Sequence, residues 1–236
     1  MKCLVVGGSR GIGRSLVSLL RERAHDVWFT YNRSVDAARA LSKETGAAHL
    51  AYDQNSDASV EDLKRTVLTE KFDSLVYLAA EPFERKSLIK TPADEYLTYI
   101  TRGVRGAYSL STAFAESNRT DKRPASLVHV LSSVVLGAPP ERQGPYVGLK
   151  YLLWGMSRSM AAEFGKYNIR VNTVSPGMTR TDFISDLPER FIETLETSLP
   201  MGRLLKPEEV AAAIRFLICN HSSALRDVNL PVTGGA

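Results

Sequence analysis

Only two cysteines and four histidines occur in the 236 residues. Cys3 and Cys219 lie at opposite ends of the chain, one in an apolar run and the other closing a helical pattern. They make no disulfide framework and read as small core hydrophobes. Cys219-x-His221 is the one close pair of ligand types, and its spacing matches neither a zinc finger nor a His-x-x-x-His site, so no metal is expected. Long hydrophobic runs are missing too: none approaches the roughly 18 residues a membrane helix needs. The apolar opening, Leu4-Val5-Val6, is too short for a signal-peptide core, so a cytoplasmic location is expected and a membrane is not. Basic clusters are also absent. The 30 Lys+Arg against 26 Asp+Glu leave a net charge of +4 scattered along the chain, which gives no footprint for nucleic acid. What is present is ordinary for a soluble globular chain, 44% hydrophobic and 24% charged residues, and the length predicts a single α/β domain over 1–236.

Seven short, β-branched runs recur at 2–6, 26–31, 47–52, 74–79, 126–131, 169–175 and 228–232. Several are apolar at consecutive positions, as strands covered on both faces are. Between them, 11–24, 35–44, 59–71, 92–118, 145–167 and 207–219 carry apolar residues at three- and four-residue spacing and predict helices. Ser59-x-x-Asp62 resembles a capping box, and Pro207-Glu208-Glu209 suits a first helical turn. Strict alternation predicts right-handed crossovers and a Rossmann-like, doubly wound parallel sheet of about seven strands, with ligands at the carboxyl edge where strand order reverses. The one irregular stretch, 177–206, is expected to be a substrate lid or an ordinary helical insertion, two readings that share a composition.

Directly after the first run stands Gly7-Gly8-Ser9-Arg10-Gly11-Ile12-Gly13, where glycines allow a tight turn and let a pyrophosphate reach the N–H groups of a helix start. A dinucleotide fold that prefers NAD carries an acid at the end of its second strand to bind the adenosine ribose. Here that strand ends Tyr31-Asn32-Arg33-Ser34 without one. Arg33, Ser34 and Arg10 can instead meet a 2′-phosphate, and NADP(H) is the expected cofactor. Further along, Ser133 precedes Tyr146 by thirteen residues and Lys150 follows it by four. That last spacing puts phenol and amine on one helix face, behind Pro145 at the helix start. An adjacent ammonium lowers a phenol's pKa from about 10, which suits a general acid for carbonyl reduction, while Ser133 can hydrogen-bond the carbonyl oxygen.

Taken in order, these motifs, with Asp53, Ser132-Ser133-Val134-Val135, Arg170-Val171-Asn172-x-Val174-x-Pro176-Gly177 and Gly234-Gly235, resemble the short-chain dehydrogenases/reductases and, within them, the 3-oxoacyl-carrier-protein reductase branch. The likeness covers almost the whole chain. It implies that Tyr146 is the catalytic acid/base, that Lys150 also holds the nicotinamide ribose, that Ser133 positions the carbonyl and that Asp53 contacts adenine. It further implies that Thr181, with Pro176, Gly177 and Thr179, approaches the nicotinamide, and that Gly7, Ser9, Arg10, Gly11, Ile12, Gly13, Asn32, Arg33 and Ser34 cradle the phosphates. A homo-oligomer, tetramer or dimer, joined through the helices at 92–118 and 145–167 is implied as well. The expected activity is reduction of a ketone or aldehyde, or its reverse. A carrier-bound 3-oxoacyl thioester is the narrower alternative, with Lys122, Arg123 and Lys166 attracting an acidic carrier protein, and a non-catalytic NADP(H) sensor is the alternative of another class. Enoyl reductases of this superfamily space tyrosine and lysine more widely. Three departures stand out: Val6 before the first glycine, Tyr77-Leu78-Ala79-Ala80 where the family writes Asn-Asn-Ala-Gly, and Gly103 where it commonly has a catalytic asparagine.

Overall fold

The computed structural model describes residues 1–185 and 187–235; Asp186, inside the 177–206 stretch, and Ala236 lie outside the described residues. The seven runs become β1 (Lys2–Val6), β2 (Asp26–Tyr31), β3 (Ala48–Ala51), β4 (Ser74–Tyr77), β5 (Ala125–Val130), β6 (Ile169–Pro176) and β7 (Asn229–Val232). All pair in parallel, in the order β3-β2-β1-β4-β5-β6-β7. Around them lie α1 (Gly11–Arg21), α2 (Val35–Thr45), α3 (Asp57–Glu70), α4 (Ala93–Asn118), α5 (Gly144–Phe164), α6 (Glu189–Ser198) and α7 (Pro207–Ile218). Leu4 and Val6 of β1 join one core with α3, α4 and α5. Cys3 and Val5 join the other with α1, α2 and α7. Burial of β5 and β6 at every position explains why their sequences do not alternate. Since every strand runs the same way, all carboxyl ends share one edge, and strand order reverses between β1 and β4.

One helix start and one helix end differ from the sequence pattern for local reasons. Ser56, not Ser59, caps α3: its hydroxyl accepts from the Ser59 N–H at 3.3 Å, while Ser59 Oγ accepts from the Asp53 N–H at 2.9 Å. Helix α1 stops at Arg21, because Arg23 and Ala24 fold back onto Leu20 and Arg21 and Ala24 takes a φ of 57°. Helix α7 starts as expected at Pro207, with the Glu209 carboxylate accepting from the Lys206 N–H at 2.7 Å and the Glu209 N–H donating to Lys206 O at 3.1 Å. Stretch 177–206 holds its own small core of Ile184, Ile192 and Leu204, with Pro188 opening α6 rather than breaking it. Its two ends are pinned together by Arg180 N–H to Leu205 O (2.9 Å) and Leu205 N–H to Met178 O (3.1 Å), so the middle projects as one unit. No described helix is long and apolar enough to cross a membrane.

At the centre of the sheet, β5 is bolted to both neighbouring helices by His129. Its Nδ1 and Ser157 Oγ of α5 are 2.7 Å apart, and its Nε2 and Ser111 Oγ of α4 are 2.9 Å apart. Because the Ser157 hydroxyl donates to Leu153 O, it accepts from Nδ1–H, and the ring is satisfied as a neutral imidazole. Burial lowers its pKa to about 4, with the Lys150 charge a smaller cause. The unfolded chain therefore binds a proton near pH 6.5 that the folded chain refuses until about pH 4. Folding stability is accordingly lost as pH falls through that window, by on the order of 3 kcal/mol. Urea unfolding midpoints measured from pH 7.5 to 4.5 should show this loss, and His129→Gln should flatten it while lowering stability at pH 7.5.

Candidate active site

Where β1 runs into α1, Gly7 has a φ of 90°, and a Cβ on Gly13 would sit 2.1 Å from the Gly7 carbonyl oxygen, so the tight turn excludes any side chain at 13. Arg10 occupies the cap position of α1 without a side-chain cap, and no acid lies in the first turn. The leading N–H groups are thus left for an anion, and the residues fit a dinucleotide phosphate. Ile12 is partly buried behind this turn. Thr30 of β2 fixes the turn through Oγ1 to Gly7 N–H and its carbonyl to Gly8 N–H, both 2.9 Å. A 2.8 Å bond between Ser9 Oγ and Ser34 Oγ joins the turn to the end of β2. Arg10 and Arg33 flank that bond along the chain, and Asn32 and Arg33 are exposed beside it. Asp53 lies after β3 with its carboxylate accepting from Asn55 N–H at 3.0 Å. After β6, Gly177 N–H pairs with Val232 O, Thr179 Oγ1 turns back to Gly177 O, and the Thr181 methyl lies 3.0 Å from where a Cβ on Gly11 would be. The structure therefore brings the 176–181 segment onto the glycine turn, with Arg10 3.5 Å from Asp182 in an exposed ion pair.

On the far side of the crevice, α5 begins with Pro145 in its first turn and presents Tyr146 and Lys150 one turn apart. Lys150 Nζ donates to Val130 O, the last carbonyl of β5, at 2.9 Å and stands 5.5 Å from the Tyr146 ring centre. Burial without an acidic partner lowers its pKa to about 8. Tyr146 itself is raised above its usual value by burial, opposed by a hydrogen bond from Ser132 and the positive charge of Arg85. This corrects the expectation of a phenol made more acidic by its lysine: here desolvation outweighs the neighbouring charges, and the amine is spent on a backbone carbonyl. Ser133 opens the 3-10 turn Ser133–Val135, half-buried, and its hydroxyl has no partner among the described residues.

Aromatic rings cover the phenol. Phe83, in the connection between β4 and α4, stacks on Tyr146 with centroids 4.7 Å apart and planes 16° apart. Phe183, in a 3-10 turn after β6, tilts against both rings at 6.1 and 6.3 Å. Neither phenylalanine carried a signal for this place in the sequence, since an isolated ring in a loop belongs to no periodic pattern.

Gly103 is explained by packing. A Cβ there would lie 2.3 Å from Leu149 Cδ2, so the leucine beside Lys150 fills the room of a side chain on α4. Likewise Tyr77 at the end of β4 donates to Gln54 Oε1 at 3.1 Å, and Gly106 makes room for the hydroxyls of Tyr52 and Tyr77. The basic residues expected to attract a carrier protein lie at the wrong end: Lys122 and Arg123 precede β5 and Lys166 precedes β6, at the amino edge of the sheet. Arg123 is paired there with Asp73 at 3.1 Å. Among the described residues no cluster of His, Cys, Asp and Glu is arranged to hold a metal.

Residues 6–236 match the family model described as Enoyl-(Acyl carrier protein) reductase. Carbonyl reductase family member 4 of Xenopus laevis is 33% identical over 221 residues, covering 92% of this chain and 90% of its own. A solved structure of a short chain dehydrogenase/reductase family protein is 29% identical and superposes with a TM-score of 0.88 over 100% of this chain and 96% of that one. BdcA in complex with NADPH is 27% identical, with a TM-score of 0.88 over 99% of this chain and 93% of its own.

The contact between Gly103 and Leu149 is directly testable. Gly103→Asn should destabilise the protein by about 1–3 kcal/mol through overpacking, and Leu149→Ala by about 2–5 kcal/mol through the cavity it leaves. Combining them should cost clearly less than the sum, as measured by denaturant unfolding in a double-mutant cycle; additive losses would refute the contact.

Proposed function

The chain belongs to the short-chain dehydrogenase/reductase family of oxidoreductases, and from that premise we propose that it is a cytoplasmic, NADPH-dependent reductase of ketones or aldehydes, able to run in reverse. One observation carries the proposal: a buried amine and a buried phenol, one helical turn apart, stand at the carboxyl edge of the sheet across from an open helix start. NADP(H) bound over the glycine turn would supply or take up the hydride. Tyr146 donates its hydroxyl proton to the carbonyl oxygen as the alcohol forms, and takes it back in the reverse direction. The unpartnered Ser133 hydroxyl donates a hydrogen bond to that oxygen while negative charge develops on it, and Ser132 orients the phenol. Lys150, with its pKa near 8, is held beside the phenol by Val130 O and retains N–H groups for the nicotinamide ribose.

For the cofactor, Gly7, Ser9, Gly11, Ile12 and Gly13 form the phosphate cradle, Arg10, Arg33, Asn32 and Ser34 receive the 2′-phosphate, Asp53 faces adenine, and Pro176, Gly177, Thr179 and Thr181 border the nicotinamide. The absence of any carboxylate from Thr30 to Ser34 supports NADP over NAD. The four-residue step from Tyr146 to Lys150 favours carbonyl over enoyl reduction. A carrier-bound thioester is the second reading, favoured by the acyl-carrier-protein term in the matching family's description, although it has lost the docking residues first assigned to it. Tyr108 of α4 and Tyr151 and Leu152 of α5, each more than two-fifths exposed, support an assembly of like subunits through those helices. We regard 177–206 as the substrate lid, pinned at both ends and carrying Phe183 over the site.

Tyr146→Phe should lower turnover on a carbonyl panel at least a thousandfold while the dissociation constant for NADPH stays within about threefold; substantial residual turnover would remove Tyr146 as the acid. Arg33→Ala and Arg10→Ala should each weaken NADPH about 10- to 100-fold and leave NADH nearly unchanged, as expected for lost charge-assisted bonds and measurable by fluorescence titration.

A further inference from the structure

Three segments far apart in sequence meet at one spot on the catalytic face: the connection between β4 and α4 supplies Phe83, α5 supplies Tyr146, and the pinned excursion after β6 supplies Phe183. Phe83 is the middle ring. Tyr146 lies parallel to it at 4.7 Å, Phe183 leans on it at 6.3 Å, and Tyr99 of α4 meets it edge-on at 6.5 Å. The result is a nearly closed aromatic box around the phenol, which is only 8% exposed, whereas Phe183 is 42% exposed. A carbonyl oxygen that reaches the Tyr146 hydroxyl must carry its substituents into the volume these rings fill.

Phe83 meets Tyr146, Phe183 and Tyr99 through its ring, with the Arg85 guanidinium 5.2 Å from its centre. From Leu78 to Ser87 the chain has no helix or strand; Tyr99 Oη to Glu81 O (3.0 Å) and Lys86 Nζ to Glu95 (2.5 Å) tie it to α4, and the Glu81 carboxylate accepts from Gln54 and Asn55. The face of Tyr146 that Phe83 covers is served best by another flat ring, because a flat π-system restores the face contacts and a puckered or branched chain does not. Phe183, mounted on the excursion, then closes from the other side.

Resting on the reductase reading above, we propose that Phe83 and Phe183 form an aromatic clamp that selects carbonyl substrates bearing a flat aromatic ring next to the reacting carbon. The ring of the substrate takes the place of Phe83 against Tyr146 and is sandwiched between the two phenylalanines. A linear acyl thioester has no group for this sandwich.

The test compares acetophenone with cyclohexyl methyl ketone, which have equal carbon counts but a flat and a puckered ring. Both are used with the full-length protein and NADPH, for the wild type, Phe183→Leu, and Phe83→Leu with Phe183→Leu. The ratio of kcat/KM values should favour acetophenone in the wild type and fall by roughly tenfold in the double variant, with intrinsic reactivity cancelling between the enzymes. A binding arm titrates 1-phenylethanol and 1-cyclohexylethanol into the NADPH complex by calorimetry, where no turnover is needed. The aromatic alcohol should bind more tightly to the wild type, and the advantage should vanish in the double variant. Unchanged NADPH affinity shows that the variants fold; if the double variant fails this control, Phe183→Leu alone, on an exposed ring, should lower the ratio about threefold. Turnover of both ketones with a ratio that no variant moves overturns the clamp and leaves the reductase reading standing. Absence of turnover on every carbonyl tried overturns the reductase reading, and the calorimetric difference between the two alcohols then decides the clamp by itself.

Discussion

A hydrogen bond from the Lys150 ammonium to the last carbonyl of β5 ties the start of α5 to the strand that anchors it. Burying an amine with no carboxylate beside it is costly, and the fall of its pKa to about 8 records that cost. The position is tenable because β5 ends there: Val130 presents a carbonyl at the sheet's carboxyl edge, and the chain turns away at Ser132 into the 3-10 turn that starts at Ser133. One residue earlier on the same strand, His129 bonds α4 and α5 at once. Two consecutive residues of β5 thus set the height and rotation of α5, and with them the place of Tyr146.

The same face shows how close packing substitutes for polar chemistry. Helix α4 approaches its neighbours through glycines, with Leu149 seated against Gly103 and the hydroxyls of Tyr52 and Tyr77 against Gly106. Tyr52 Oη is buried without a hydrogen-bond partner, and burial pushes its pKa to about 12, so this pocket keeps the tyrosines neutral. Apolar filling on one side of Lys150 and aromatic rings over Tyr146 leave this amine and phenol in a dry setting. In such a setting a hydroxyl or an oxyanion donor counts for more than it does in water. The cofactor side is the opposite: Arg10, Asn32 and Arg33 stay exposed around an uncapped helix start, ready for a polyanion.

Much of this was legible in the chain because the signals are local. Strand runs bounded by glycine and proline, helices with apolar stripes, and the glycine turn between β1 and α1 each follow from neighbours within a few residues, and every expected strand and helix appeared within a few residues of its bounds, whereas α6 formed in the irregular stretch, to which the pattern assigns no helix bounds. The cap of α3 escaped because Ser56 and Ser59 both look like caps, and the choice between them depends on the Asp53 N–H, which takes Ser59. The fit of 177–206 as a pinned unit escaped because its ties, Arg180 to Leu205 and Leu205 to Met178, cross some 25 residues of chain.

The amino-acid sequence by itself determined the parallel, doubly wound architecture, the uncapped glycine turn without a nearby acid, and the four-residue step that aligns Tyr146 with Lys150. These depend on backbone sterics and helical period, which act within a turn or two. Tertiary structure alone decided that desolvation raises Tyr146 instead of its lysine lowering it, that Leu149 takes up the room beside Gly103, and that Phe83 and Phe183 converge over Tyr146. Each of those outcomes depends on burial or on contact between segments tens of residues apart, and neither has a period or a spacing from which it can be read in advance.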